Sequence, residues 1–124
     1  MNWAHYVSYF WGGLFLSNAV PHVVSGMMGR PFQSPFAKPP GEGLSSSTVN
    51  ALWGWSNVAV GYWLVCQVGS FDLHNLGHVA AAGFPGFASS TLLANRFGRF
   101  NGGNDPLAVQ HAAASAHSST ERQT

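Results

Sequence analysis

The histidines are the residues of this chain whose type and spacing could support chemistry. His74 and His78 are four residues apart, so a helix would place them on one face, and Asp72 precedes them. In a bundle of three antiparallel neighbours, His5 would lie at the same end. Imidazole and carboxylate groups bind Zn and Cu, so a metal site at these three histidines is predicted. Histidines that hydrogen-bond only to water or lipid headgroups are the competing interpretation.

A second group of polar residues is expected inside the bundle. Six residues at helical spacing in three segments carry small hydrogen-bonding side chains or an imidazole: Asn18, His22, Ser25, Asn50, Asn57 and Ser90. They are predicted to form one polar cluster. The cluster could provide hydrogen bonds between helices, or His22 could be an ionisable group that relays a proton or binds a ligand.

The elements that position these residues follow from the distribution of charge. Only 7% of the residues are Asp, Glu, Lys or Arg, against about 25% in a typical soluble domain. Residues 1–29, 43–71 and 73–95 contain no charge. Each gap can hold a helix of about 20 residues, the length that crosses a bilayer. The prediction is an all-α, membrane-spanning three-helix bundle with spans at about residues 6–28, 48–68 and 76–97. Gly83, Pro85 and Gly86 leave open a third span that is broken or re-entrant.

The basic residues set the expected orientation. Arg30 and Lys38 lie between the first two spans, and Arg96, Arg99 and Arg122 follow the third. The positive-inside rule then predicts an N-terminus outside and a C-terminus in the cytoplasm. The multi-pass chain would have the lipid bilayer as its surroundings.

The segments outside the spans differ in composition. Residues 30–44 contain four prolines and two glycines, which predicts a Pro-rich cytoplasmic loop without continuous helix. Residues 1–104 are predicted to form a single transmembrane domain. Residues 105–124, rich in Ala, Ser, His and Thr, are predicted to be a disordered tail. Cys66 is the only cysteine, so no intramolecular disulfide can form, and a buried, inert thiol is expected.

Several function classes are excluded by composition and motifs. A net charge of +1 with five basic residues offers no patch for a phosphate backbone, so nucleic acid is not an expected partner. Phosphate-binding loops, nucleophile elbows and zinc-protease motifs are absent, so an enzyme is not expected. Apart from the Zn or Cu ion considered above, the sequence predicts no cofactor.

Three parts of the sequence resemble a family of small uncharacterised bacterial integral membrane proteins. They are AHYVSYFWGG with NAVPH, the loop GRPFQSPFAKPPGEGLSSS, and RFGRFNGGN. The similarity covers about residues 4–104, and the loop is its most specific part. The resemblance implies a multi-pass protein of the bacterial inner (plasma) membrane and implies no activity.

The expected function is that of a non-catalytic membrane component. The chain would be a homo-oligomer or a subunit of a larger membrane complex, with its polar stripes making helix contacts. The alternative is a metal- or proton-handling membrane protein that uses its histidines.

Overall fold

Four helices and a two-stranded ribbon make up the structure, a computed structural model that describes residues 2–122. The helices are α1 (Trp3–Met27), α2 (Ser47–Cys66), α3 (Leu76–Asn101) and α4 (Pro106–Glu121). The strands are β1 (Phe32–Gln33) and β2 (Leu44–Ser45), which pair antiparallel. The structure is 72% helical, which confirms the all-α class.

The three longer helices have the predicted positions but not the predicted polarity. They contain 25, 20 and 26 residues. Within residues 2–122, however, none of the helices combines sufficient length with sufficient apolar character to cross a membrane. The predicted spans at 6–28, 48–68 and 76–97 and the multi-pass inner-membrane location are therefore wrong. The predicted orientation depends on those spans and has no basis without them.

The physical reason for this correction is that freedom from charge is not the same as apolarity. Asn18 and His22 lie in the middle of α1, and Asn50 and Asn57 lie in α2. Amide, imidazole and hydroxyl groups lower the hydropathy of every long window, although none of them carries a full charge at neutral pH.

Prolines do not interrupt the long helices. α1 continues through Pro21, and α3 continues through Pro85, so the third segment is one helix and not a broken one. Side-chain caps define two helix starts: Asn2 Oδ1 accepts from the Ala4 amide at 3.1 Å, and Ser46 Oγ accepts from the Val49 amide at 3.2 Å.

Helices α1 and α2 pack antiparallel with close approach of their backbones. A methyl group added at Gly12 would lie 3.1 Å from the carbonyl oxygen of Gly61, and one added at Gly61 would lie 3.1 Å from that of Gly12. On another side of α1, Gly13 lies against the Ala82 carbonyl oxygen, and Ser17 Oγ donates to the Gly86 carbonyl at 3.0 Å. Glycine is required at these crossings because it has no Cβ.

The segments outside the three long helices are more ordered than predicted. The described chain divides between Thr91 and Leu92, within α3, into two compact units. Residues 106–121 form α4, so the predicted disorder of 105–124 is wrong for this part. Asp105 Oδ1 caps the helix by accepting from the Ala108 amide at 3.1 Å, and Pro106 begins it. Residue 1 of the predicted domain and residues 123–124 of the predicted tail lie outside the described residues.

Candidate functional site

Asn50, fully buried at 0% exposure, is the centre of the polar interior. Its Nδ2 donates to the carbonyl oxygens of Phe32, Ser45 and Ser46 at 3.0–3.1 Å, and its Oδ1 lies 2.8 Å from His22 Nδ1. Because an amide oxygen cannot face three carbonyl oxygens, the orientation of the Asn50 amide follows from these contacts. His22 Nδ1 must therefore carry a proton and donate it to Asn50.

His22 is held as a neutral imidazole. It is 3% exposed, and its ring packs edge-on against Phe32 with centroids 5.4 Å apart. Burial lowers the pKa of His22 below the ordinary 6.5, and the hydrogen bond to Asn50 opposes this only in part. At neutral pH the ring therefore serves as a hydrogen-bond donor between α1 and α2.

Two further hydrogen bonds between α1 and α2 extend this contact along the helix pair, and a third, within α2, orients Asn57. Asn18 Nδ2 donates to Asn57 Oδ1 at 3.2 Å, and Asn57 Nδ2 donates to the Trp53 carbonyl at 2.7 Å. Near the other end, Ser8 Oγ donates to the Leu64 carbonyl at 2.6 Å. We call the three α1–α2 contacts, Ser8–Leu64, Asn18–Asn57 and His22–Asn50, the polar seam.

Two of the six predicted cluster residues do not contribute a side chain to the polar seam. Ser25 is half-buried, and its backbone carbonyl accepts from the Arg30 amide at 2.9 Å. Ser90 is exposed and donates to the Phe87 carbonyl of its own helix at 2.8 Å. Sequence reasoning missed Ser8, although it precedes His22 by about four helical turns and so shares its face.

Each of the three histidines of the predicted Zn or Cu site contacts a different polar group and not a common centre. His78 Nδ1 accepts a hydrogen bond from the Asp72 backbone amide at 3.1 Å. The neutral ring therefore carries its proton on Nε2, and no ring lone pair is free to bind a metal. His74 is exposed, with Nδ1 3.2 Å from Asp72 Oδ1, and His5 Nε2 lies 3.4 Å from Asn2 Nδ2. Within residues 2–122 no three His, Cys, Asp or Glu residues are grouped to hold a metal ion.

His5 and His78 pack instead around Tyr9. Their ring centroids lie 6.4 and 5.1 Å from that of Tyr9, and Phe71 lies 5.0 Å away at right angles. Tyr9 is fully buried, and its hydroxyl has no hydrogen-bond partner among the described residues. Burial, with a smaller effect from Tyr6, raises the pKa of the Tyr9 phenol. These rings form an aromatic cluster with a neutral phenol.

The concave surface offers little reactive chemistry. The groove between α1 and the first half of α3 has a volume of about 500 Å³ and is lined mainly by apolar side chains such as Leu16, Val20 and Phe87. The hydroxyl groups on its lining, those of Ser17 and Ser90, donate to backbone carbonyls. The groove therefore lacks the paired acid, base or nucleophile that catalysis requires.

The outward surface is where the apolar side chains lie. Among the described residues, the buried apolar side chains are Tyr9, Ala19, Val65 and Pro85. Large apolar side chains on α1, α2 and α3 are exposed, including Trp11, Trp55, Trp63, Phe84 and Phe87. The structure thus has a polar interior and an apolar exterior, the reverse of the usual distribution.

Comparison with known proteins identifies no relative: no protein-family model, curated protein or solved structure matches the chain. The resemblance of residues 4–104 to a bacterial family stays a prediction.

Proposed function

We propose that this chain is a non-catalytic component of a homo-oligomeric protein assembly. The observation that supports the proposal is the reversed polarity of residues 2–91. Monomeric soluble proteins rarely expose a contiguous apolar patch of more than a few hundred Å². Side chains such as Trp55, Trp63 and Phe87 exceed half exposure, so a single copy leaves a large apolar area that association would cover.

A second copy of the chain is the occupant that the charge pattern favours. Residues 43–71 contain no charge, so two copies of α2 can meet without like-charge repulsion, which otherwise costs several kcal/mol at an interface. A partner of opposite charge would find no complementary group in this segment.

The non-catalytic part of the proposal rests on the state of the polar groups. His22 is neutral and donates to Asn50, and Asn50 uses both ends of its amide. These bonds stabilise the fold, and they leave the Asn50 amide no N–H group for a substrate.

Sedimentation velocity of the full chain in aqueous buffer, over a hundredfold range of concentration, tests the proposal. We expect a species whose mass is a multiple of 13.2 kDa. A 13.2 kDa species at every concentration would contradict the proposal. So would recovery of the chain only as a monomer on phospholipid vesicles, or only in complex with a different protein.

A further inference from the structure

The face of α2 that points away from α1 carries a symmetric row of residues. Leu52, Trp55, Ala59, Trp63 and Cys66, which we call the α2 stripe, are all exposed. Their spacing is three, four, four and three, so the row reads the same in both directions from Ala59. Residues at this spacing share one side of a helix and follow the seam of a coiled coil.

We propose that the α2 stripe is the contact between two copies of this chain, with the two α2 helices antiparallel and centred on Ala59. The inference rests on the proposed homo-oligomer and names its interface. A twofold contact uses the same patch on both copies, so it requires a patch that complements itself when reversed. The α2 stripe meets this requirement because its spacing is palindromic.

The residue types suit such a pairing. Ala59 meets Ala59 of the second copy at the centre, where a small side chain allows the helices to approach. Trp55 shares a layer with Trp63 of the second copy, and Leu52 shares a layer with Cys66. Each layer outside the central one therefore contains at least one large apolar side chain and packs as in an antiparallel coiled coil.

The exposed area of the α2 stripe supplies most of what a dimer interface needs. Leu52, Trp55, Tyr62 and Trp63 are 66, 57, 55 and 58% exposed. With aromatic side chains of about 150–250 Å² each, these four expose on the order of 500 Å² per copy. A standard interface buries roughly 800 Å² per partner, so the α2 stripe and the adjacent Tyr62 supply the greater part of it.

The antiparallel direction is favoured over the parallel one by the helix dipole. In a parallel pair the two N-termini, and the two C-termini, lie side by side with like partial charges. The antiparallel pair brings opposite ends together. The absence of charged residues from 43 to 71 leaves no ion pair that could override this preference.

Thiol cross-linking distinguishes the arrangement, because Cys66 is the only cysteine of the chain. In the antiparallel pair the two copies of Cys66 are separated by 14 residues of helix, or about 21 Å, which no disulfide spans. We expect no oxidative cross-link in the unmodified chain. Leu52→Cys should cross-link to Cys66 of the second copy, and Ala59→Cys in a Cys66→Ala background should cross-link to itself.

Substitution by glutamate gives an independent readout with a matched control. Ala59→Glu places two like charges together at the centre of the contact, so the dimer dissociation constant should rise at least 100-fold. Ala80→Glu makes the same change at an exposed position of α3 and should leave the constant within about threefold.

The outcomes separate the two proposals. An oligomer that cross-links through Cys66 itself, or that survives Ala59→Glu unchanged, would overturn the α2 interface while leaving the homo-oligomer standing. Equal weakening by Ala80→Glu would overturn the assignment to α2. A chain that is monomeric before any substitution would overturn both.

Discussion

At the scale of single residues, Asn50 connects α2 to α1 and to both strands. It lies in α2, accepts from His22 of α1, and donates to the Phe32 and Ser45 carbonyls of the two strands. Loss of this amide would leave several buried polar groups without partners, each at a cost of about 1–3 kcal/mol. The position is therefore more sensitive to substitution than the exposed polar residues of the same helix.

The neutral state of His22 predicts a pH dependence of stability. Burial lowers the folded-state pKa below the ordinary 6.5, so between these two values the unfolded chain binds more protons than the folded one. The contribution of His22 is fully present above pH 6.5 and is lost as the pH falls through 6.5 towards the lowered value. We expect the free energy of unfolding, measured with urea, to be lower at pH 5 than at pH 7.5.

A matched pair of variants isolates this effect. His22→Gln should reduce the difference in stability between the two pH values, whereas His74→Gln, at an exposed histidine, should retain it. A pH difference that is the same in His22→Gln and in the unmodified chain would assign it to other groups.

Sequence spacing was sufficient to select His22 and Asn50 but not their arrangement. Positions four and three apart on a helix share a face whatever surrounds them, so Asn18, His22, Asn50 and Asn57 could be chosen without a structure. The bonds from Asn50 to the strand carbonyls depend on the path of the connecting loop, which no periodicity encodes. Ser90 failed to join because its hydroxyl bonds within its own helix.

At the scale of elements, the glycines of α1 and α3 differ in what surrounds them. Gly13 faces the backbone carbonyl of Ala82, whereas Gly83 has nothing within 4 Å of an added methyl group. Gly13→Ala should destabilise the fold by about 1–3 kcal/mol, because a carbonyl in a helix cannot move aside. Gly83→Ala should stabilise it by up to about 1 kcal/mol through helix propensity.

Urea unfolding followed by circular dichroism measures both changes. The two variants make the same chemical change in helices that pack together, so opposite signs would establish the close crossing. A stabilising Gly13→Ala would show that α1 and α3 are further apart than described.

The helices themselves could be located from the charge-free segments, but their environment could not. The predicted segment 48–68 and the observed Ser47–Cys66 differ by at most two residues at either end, because Ser46 provides a recognisable cap. The charge-free segments predict a membrane environment, but the amides and hydroxyls inside them make the helices too polar to cross one. The overall composition of residues 105–124 predicts disorder, whereas the Ala-rich segment after Asp105-Pro106 has the helix propensity that forms α4.

At the scale of the whole molecule, association and stability should be linked. If only folded chains associate, dilution shifts the protein towards the monomer. The thermal unfolding midpoint then falls, because the monomer lacks the stabilisation that association provides. We expect the midpoint of the unmodified chain to fall measurably over a hundredfold dilution, and that of Ala59→Glu to be independent of concentration. A concentration-independent midpoint for the unmodified chain, measured by calorimetry, would contradict the linkage.

The bonds from Asn50 to the strands also make the ribbon dependent on α2. A ribbon of two-residue strands is too short to persist alone, and a side chain in the first turn of α2 satisfies its Phe32 and Ser45 carbonyls. The ribbon is therefore stabilised by α2, and His22 of α1 adds to the same junction through Asn50. The loop between the strands thus depends for its closure on the helix beside it.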